Sequence, residues 1–327
     1  MMVNIVISFM VSLFAVISLM PGLISYLKKL SFNQTVSEYS LAEYKEKAKT
    51  PIMGGILFIL VPLAVSFVSE FIYGFSLEAL VLQLAFFGYG AIGFIDDYLI
   101  AVRHNNEGLR PRVKLIMQIV LAAVIYLIYR SSVGDLAVHI PFTSASLYLG
   151  HFYAVLILLM FSGSSNAVNL TDGMDGLAAG CCVFSFLAFL ILSVIAGKPV
   201  MVCFLSSLIG SLCGYLRFNV KPAKIFMGDT GSLALGGGLA ACAMILKAEI
   251  PLIFIGGVYV LDTLSAIIQI ASVKTRHKRV FPYTPIHYSF VLPKSKGGLG
   301  LSEVQTVHIF WLASAVFSLI GLLMALA

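Results

Sequence analysis

Ten apolar stretches, most of them long enough to cross a bilayer as a helix, limit what this chain can fold into. They run over 3–27, 52–72, 80–95, 113–129, 147–161, 177–195, 200–216, 233–246, 251–273 and 307–326. A spanning helix needs about 17–25 predominantly apolar residues, so the three shortest must borrow flanking residues. Charged residues make up 11% of the chain and mean hydropathy is +1.00, whereas soluble domains carry about 25% charge. The period-two alternation of a membrane β-barrel is missing. The expected fold is an all-α polytopic membrane protein of about ten transmembrane helices, a single domain over 1–327.

Charge placement orients those helices. Of the 21 Lys and Arg, 18 fall in alternate connections, at 28–49, 103–114, 217–224 and 274–296, and the other 3 are Arg130, Lys198 and Lys247. The positive-inside rule makes the first set cytoplasmic and puts both termini outside. The net charge of +6 therefore reports topology, with the lipid bilayer as partner and no nucleic acid expected. The first apolar run has Lys28 and Lys29 behind it and no basic residue ahead, which fits a retained anchor rather than a cleaved signal. The five cysteines lack metal-ligand spacing and read as small packing residues. In the outward loop 131–146, Asp135 and His139 have no readable partner and count as surface residues.

The chemistry gathers on the cytoplasmic side. The stretch Asn166-Ala-Val-Asn-Leu-Thr-Asp-Gly-Met-Asp-Gly places Asp172 and Asp175 three residues apart, each followed by glycine. On a helical turn that spacing puts two carboxylates on one face, and the glycines admit a ligand or a second backbone. Thr171 or Asp172 could instead simply cap the helix that follows. The third run ends in Asp96-Asp97, adjacent acids that repel unless a cation or shared proton compensates. At a membrane boundary, acids are rare and usually functional. The segment from Arg217 reads Asn219-Val-Lys221-Pro-Ala-Lys224-Ile-Phe226-Met-Gly228-Asp229-Thr-Gly-Ser232 and opens another helix. Backbone N–H groups at such a turn, with Ser232 and two lysines near, can hold phosphate.

Other segments give weaker signals. In the first cytoplasmic loop, Lys47 and Lys49 either bind an anionic substrate or only set topology, and Thr50 caps a helix with Pro51 in its first turn. Gly54 and Gly55 allow close packing. Asp262, inside the ninth run, has no readable partner; it either makes a packing hydrogen bond or serves the site. In the last cytoplasmic loop, Pro282 and Pro285 forbid a regular helix. His287 beside them suits proton transfer or donation to a diphosphate. Ser302 and Glu303 start the final span as a capping pair. A cleft lined by Asp96, Asp97, Asp172, Asp175 and Asp229, with Asn166, Asn169 and Asn219, is rich in oxygen and free of thiolate. Such sites suit Mg²⁺ or Mn²⁺, held by one or two carboxylates plus substrate phosphate. From the residues alone, this reads as metal-assisted phosphoryl transfer onto a lipid.

Asp96-Asp97-Tyr, the Asn166 to Gly176 stretch and the Asn219 to Ser232 segment resemble motifs of the polyprenyl-phosphate N-acetylhexosamine-1-phosphate transferases. Lys47-Ala-Lys-Thr-Pro-Ile-Met-Gly-Gly, Pro285-Ile-His287 and Gly300-Leu-Ser-Glu303 are similar to its phospho-N-acetylmuramoyl-pentapeptide-transferring branch. The likeness covers nearly the whole chain. It implies that undecaprenyl phosphate attacks UDP-N-acetylmuramoyl-pentapeptide, releasing UMP and leaving lipid I, the first membrane-bound peptidoglycan precursor. It also implies a multi-pass protein of the bacterial plasma membrane, with a cytoplasmic site, a homodimeric state and cell-wall assembly partners. Carried over by position, Asp229 matches the Mg²⁺ ligand, with Asp96 as a second one. Asp96 is also the acid that deprotonates or positions the lipid phosphate, with Asp97 beside it and His287 catalytic. Asp172 and Asp175 match the nucleotide and diphosphate site. Asn166, Asn169, Asn219, Lys47, Thr50 and Lys114 match further substrate contacts, and Phe226 an aromatic near the uracil.

The chain departs from the family pattern at several positions. Ile100 stands for a lysine, Tyr288 and Ser289 for two histidines, Tyr44 for a histidine and Leu301 for a tryptophan. Arg103 or Lys114 could supply the charge that Ile100 lacks. A sister enzyme moving N-acetylglucosamine phosphate, a ten-helix transporter and an inactive scaffold are the competing readings. Transporter acids usually sit near the bilayer midplane on broken helices, whereas here the polar signal lies on one face.

Overall fold

A computed structural model describes residues 2–30, 50–103, 108–132 and 135–327. Lys45, Lys47, Lys49 and Tyr44 lie outside the described residues. Helices dominate, as they must where lipid offers the backbone no hydrogen-bond partner. In chain order they are α1 (Met2–Lys29), α2 (Gly55–Tyr73), α3 (Leu77–Arg103), α4 (Pro111–Ser132), α5 (Phe152–Thr171) and α6 (Leu177–Ile195). Then come α7 (Pro199–Asn219), α8 (Gly228–Ile245), α9 (Pro251–Ile255), α10 (Gly257–Arg276), α11 (Ile286–Val291) and α12 (Glu303–Leu326). Among the described residues, nine helices are long and apolar enough to cross a membrane: α1 to α7, α10 and α12. Apolar side chains such as Phe71, Leu127, Leu159 and Leu312 stay exposed on their outer faces, as lipid-facing surfaces should. The expected all-α polytopic membrane architecture is therefore present.

The tenth expected span, 233–246, belongs to α8, which packs chiefly against α3 and α5 and is buried continuously from Thr230 to Ile245. A helix enclosed by protein does not face lipid and needs no uniformly apolar surface, so the five glycines and two serine or threonine residues of α8 are tolerated. Close approach is needed in turn. A methyl group at Gly93 of α3 would overlap the carbonyl of Asp229. The free cysteines conform to the packing reading: four are buried and Cys213 is half-buried.

Several boundaries differ from the hydropathy reading. α3 continues past residue 95 to Arg103, and α5 runs to Thr171 rather than 161. Polar residues extend these helices beyond the apolar window, so Asp96, Asp97, Asn166 and Asn169 sit on helices, not loops. The 251–273 run is broken at Gly256, between α9 and α10. α2 begins at Gly55 with Gly54 before it, so Thr50 caps nothing. Instead Phe226 N–H donates to the Pro51 carbonyl (2.9 Å), and Gly54 N–H to the Phe226 carbonyl (2.8 Å). These bonds tie the segment before α2 to the segment before α8. Between α4 and α5, β1 (Ala137–His139) pairs antiparallel with β2 (Ser146–Tyr148). Asp135 and His139 are not isolated there: their side chains approach to 3.8 Å, and Lys247 Nζ lies 3.9 Å from Asp135.

Candidate active site

Two neighbouring polar groups form where α3, α4, α5 and α8 end on one side of the bundle. In the first, Asp97 is buried and its carboxylate caps α8. It accepts from the backbone N–H of Asp229 (3.0 Å) and Thr230 (2.9 Å), and from the Thr230 hydroxyl (2.6 Å). The first N–H groups of a helix have no partner within it, and Asp97 supplies one from another helix. This corrects the expectation that those N–H groups wait for phosphate. Ser232 is likewise engaged, donating to the Gly228 carbonyl (3.0 Å) and accepting from Asn169 (2.8 Å).

With its backbone fixed in this way, Asp229 projects its carboxylate between two partners. Asn169 Nδ2 donates to Oδ1 at 2.6 Å, and the Lys114 ammonium contacts Oδ2. The same ammonium lies 3.9 Å from Asp96 Oδ2, while Asp96 Oδ1 accepts the Leu109 N–H (2.8 Å). Lys114 thus bridges two carboxylates brought together from α3 and α8. A cavity of about 420 Å³ opens above them, lined by Asp96, Ile100, Leu109, Lys114, Gln118 and Asn166, among others. Ile100 is in its wall, and the positive charge at that place comes from Lys114. Asn166 turns from the carboxylates and donates to Gln118 Oε1 and the Ser162 carbonyl, both at 2.8 Å.

The second group surrounds the turn after α5. Thr171 ends α5, its hydroxyl bonding back to the Ala167 carbonyl (3.0 Å), and Asp172 is the residue that terminates that helix. α6 begins after Gly176, in a left-handed conformation (φ 79°) without a side-chain cap. The Asp172/Asp175 motif therefore closes one helix rather than capping the next, and its acids lie on a turn. Asp175 Oδ2 accepts the Ala223 N–H and Asn219 Oδ1 the Gly176 N–H, each at 3.0 Å, while Asn219 Nδ2 donates to the Ile225 carbonyl (2.9 Å). Both are buried and hold the 172–176 turn against the 219–227 segment that carries Phe226. Trp311, the chain's one tryptophan, donates its indole N–H to the Gly176 carbonyl (3.0 Å).

The sequence reading misassigned Glu303, left Asp262 without a partner and passed over Gln118 and Trp311. Glu303 is no capping partner: Ser302 forms its capping box with Gln305, a Ser-x-x-Gln pattern that was readable. Glu303 instead accepts the Asp175 N–H (3.0 Å) and pairs with Lys221 (2.6 Å). That removes Lys221 from the neighbourhood of Asp229. Gln118 left no signal at all. Asp262 does have a partner, His287, across 25 residues: Nδ1 lies 2.8 Å from its carboxylate, with both side chains fully buried. The departures find places too. The Tyr288 hydroxyl donates to the Gly173 carbonyl (3.2 Å), and burial pushes its phenol up to about 12, keeping it a neutral donor. Ser289 donates to the Tyr283 carbonyl (2.6 Å) and accepts the Tyr283 N–H (3.0 Å).

Among the described residues no three His, Cys, Asp or Glu side chains gather closely enough to hold a metal by themselves. The two carboxylates bridged by Lys114, with the Asn169 amide beside them, nonetheless fit Mg²⁺. That ion keeps several waters and takes only one or two carboxylates when substrate phosphates complete its shell.

A polytopic helical bundle with an acidic, lysine-bridged site of this kind defines a membrane transferase of the glycosyl transferase family 4 class, whose family model matches residues 79–247. Within it, the chain belongs to the phospho-N-acetylmuramoyl-pentapeptide-transferases. It is 42% identical to the protein of that name from Geobacillus kaustophilus, over 97% of both chains. The Shouchella clausii protein is 44% identical over 94% of this chain and 93% of its own. The one from Halalkalibacterium halodurans is 42% identical over 98% and 96%.

Proposed function

We propose that the protein transfers phospho-N-acetylmuramoyl-pentapeptide from UDP-N-acetylmuramoyl-pentapeptide to undecaprenyl phosphate. The reaction takes place on the cytoplasmic face of the bacterial plasma membrane, with Mg²⁺ as cofactor. The observation that carries this reading is the Asp96–Lys114–Asp229 arrangement beneath an open cavity, in a chain whose near-full-length relatives bear that enzyme's name. Cytoplasmic placement follows from the basic connections on that side. The same names speak against the sister N-acetylglucosamine transferase and the transporter.

The division of labour follows from which oxygens are already engaged. Asp97, Asp175 and Asn219 hold backbone away from the cavity wall, so they shape the cleft; Asp96 also accepts a backbone N–H, but with Oδ1, and its Oδ2 faces Lys114 at that wall. Asp229 and Asp96 are the residues that would hold the metal. A bound Mg²⁺ supplies charge neutralisation at the diphosphate. Asp96, at the cavity wall, positions the attacking lipid phosphate and takes its proton, and Lys114 offers its ammonium to phosphate oxygens. Phosphoryl transfer depends mainly on such positioning and electrostatics. For the lipid tail, an apolar groove of about 360 Å³ runs between α5, α8, α9 and α10, lined by Leu156, Leu159, Leu239, Leu252, Val260 and Leu264, among others.

Metal removal checks the cofactor assignment. Purified protein treated with EDTA should lose formation of the lipid-linked product from labelled undecaprenyl phosphate, and excess Mg²⁺ should restore it. Undiminished product formation in EDTA would refute the metal role.

A further inference from the structure

We infer that Asp262 is a positioning residue that fixes the tautomer and orientation of His287. Held in this way, the imidazole presents Nε2 to the nucleotide donor beside Gly173. The inference rests on the transferase reading for the identity of that donor. One carboxylate holds the histidine twice: Asp262 Oδ2 lies 2.8 Å from Nδ1, and Oδ1 accepts the His287 backbone N–H at 3.3 Å. The backbone contact anchors the residue, and the Nδ1 contact sets the direction of the ring. They also place the Nδ1 proton, because a carboxylate can only accept.

The other ring nitrogen, Nε2, is buried and has no hydrogen-bond partner among the described residues. A lost partner at a buried polar atom is costly enough that native structures rarely leave one without a reason. Its surroundings indicate the reason. A Cβ added at Gly173 would lie 2.5 Å from Nε2 and 2.8 Å from the Tyr288 hydroxyl. Residue 173 must lack a side chain for the imidazole to sit against the turn that carries Asp172. A nucleotide donor bound against this turn supplies the hydrogen-bond partner that Nε2 lacks.

Four variants test the coupling: Asp262→Asn, Asp262→Glu, His287→Gln and the double Asp262→Asn/His287→Gln. Asp262→Asn should raise the KM for UDP-N-acetylmuramoyl-pentapeptide by about tenfold or more, as loss of an orienting partner typically does. kcat should change less, and the thermal midpoint in detergent should hold. Asp262→Glu should recover most of the loss. The double variant should be no worse than His287→Gln alone, since both changes disable one unit. Losses that multiply in the double variant, or a parental KM in Asp262→Asn, would overturn the inference. Should the variants fold poorly, the parent protein still decides. ¹⁵N-labelled imidazole signals, assigned to His287 by their loss in His287→Gln or by selective labelling, should show Nδ1 protonated in the parent. A bare Nδ1 there contradicts the assignment. This arm needs no turnover, so failure to use the muramoyl donor would count against the proposed reaction and not against the pair.

Discussion

Asp229→Asn is expected to abolish UMP release while the helical bundle stays folded. The backbone at this position is held by Asp97 through the N–H groups of Asp229 and Thr230, and neither bond involves the side chain being changed. An amide of the same shape keeps Asn169 within reach but removes the charge that Lys114 contacts. It also removes an anionic oxygen that a hard cation requires. Losing one preorganised electrostatic group at such a centre typically lowers turnover by about 10²–10³. Losing a metal carboxylate as well should bring the rate to the detection limit. The check is UMP release alongside thermal unfolding in detergent. A variant that turns over normally with Mg²⁺ would show that the metal and the chemistry lie elsewhere.

Lys114→Met should give the second-largest loss, with an opposite effect on the cation. The ammonium is the group that lets Asp96 and Asp229 approach each other. It is also the nearest fixed positive charge to the cavity over Ile100. Removing it takes away a phosphate contact, and turnover should fall about 10²–10³-fold. The competition for the two carboxylates also ends. Two like charges about 4 Å apart at a protein surface repel by roughly 4 kcal/mol at an effective dielectric of 20, and solvent and substrate screen much of that. The Mg²⁺ concentration giving half of the residual rate should therefore fall several-fold. A rate and a Mg²⁺ requirement both unchanged would remove Lys114 from the site.

The membrane class was legible because bilayer thickness imposes a length on apolar runs, and lysine and arginine placement fixes the alternation. Helix ends were less legible. Asp96, Asp97, Asn166 and Asn169 continue helices that hydropathy cuts short, because packing against α8 carries the helical backbone past the lipid. The acids of the site could be picked out by their glycine-rich, membrane-boundary context. Their roles could not, since these depend on which oxygens other segments engage. Asp97 looks like Asp96 in sequence, yet caps a helix more than 130 residues away. The Asp262–His287 pair and the bond from Glu303 to Asp175 are contacts between distant segments with no periodic pattern. The likeness to a family named the residues, and the packing distinguished Asp96 and Asp229 from the groups that hold them.

The most direct test of the whole account is UMP release by the purified protein in detergent with Mg²⁺ and undecaprenyl phosphate, with two donors compared. UDP-N-acetylmuramoyl-pentapeptide should release UMP, and UDP-N-acetylglucosamine should not. Release only from UDP-N-acetylglucosamine, or from neither donor by stably folded protein, would contradict the proposed function.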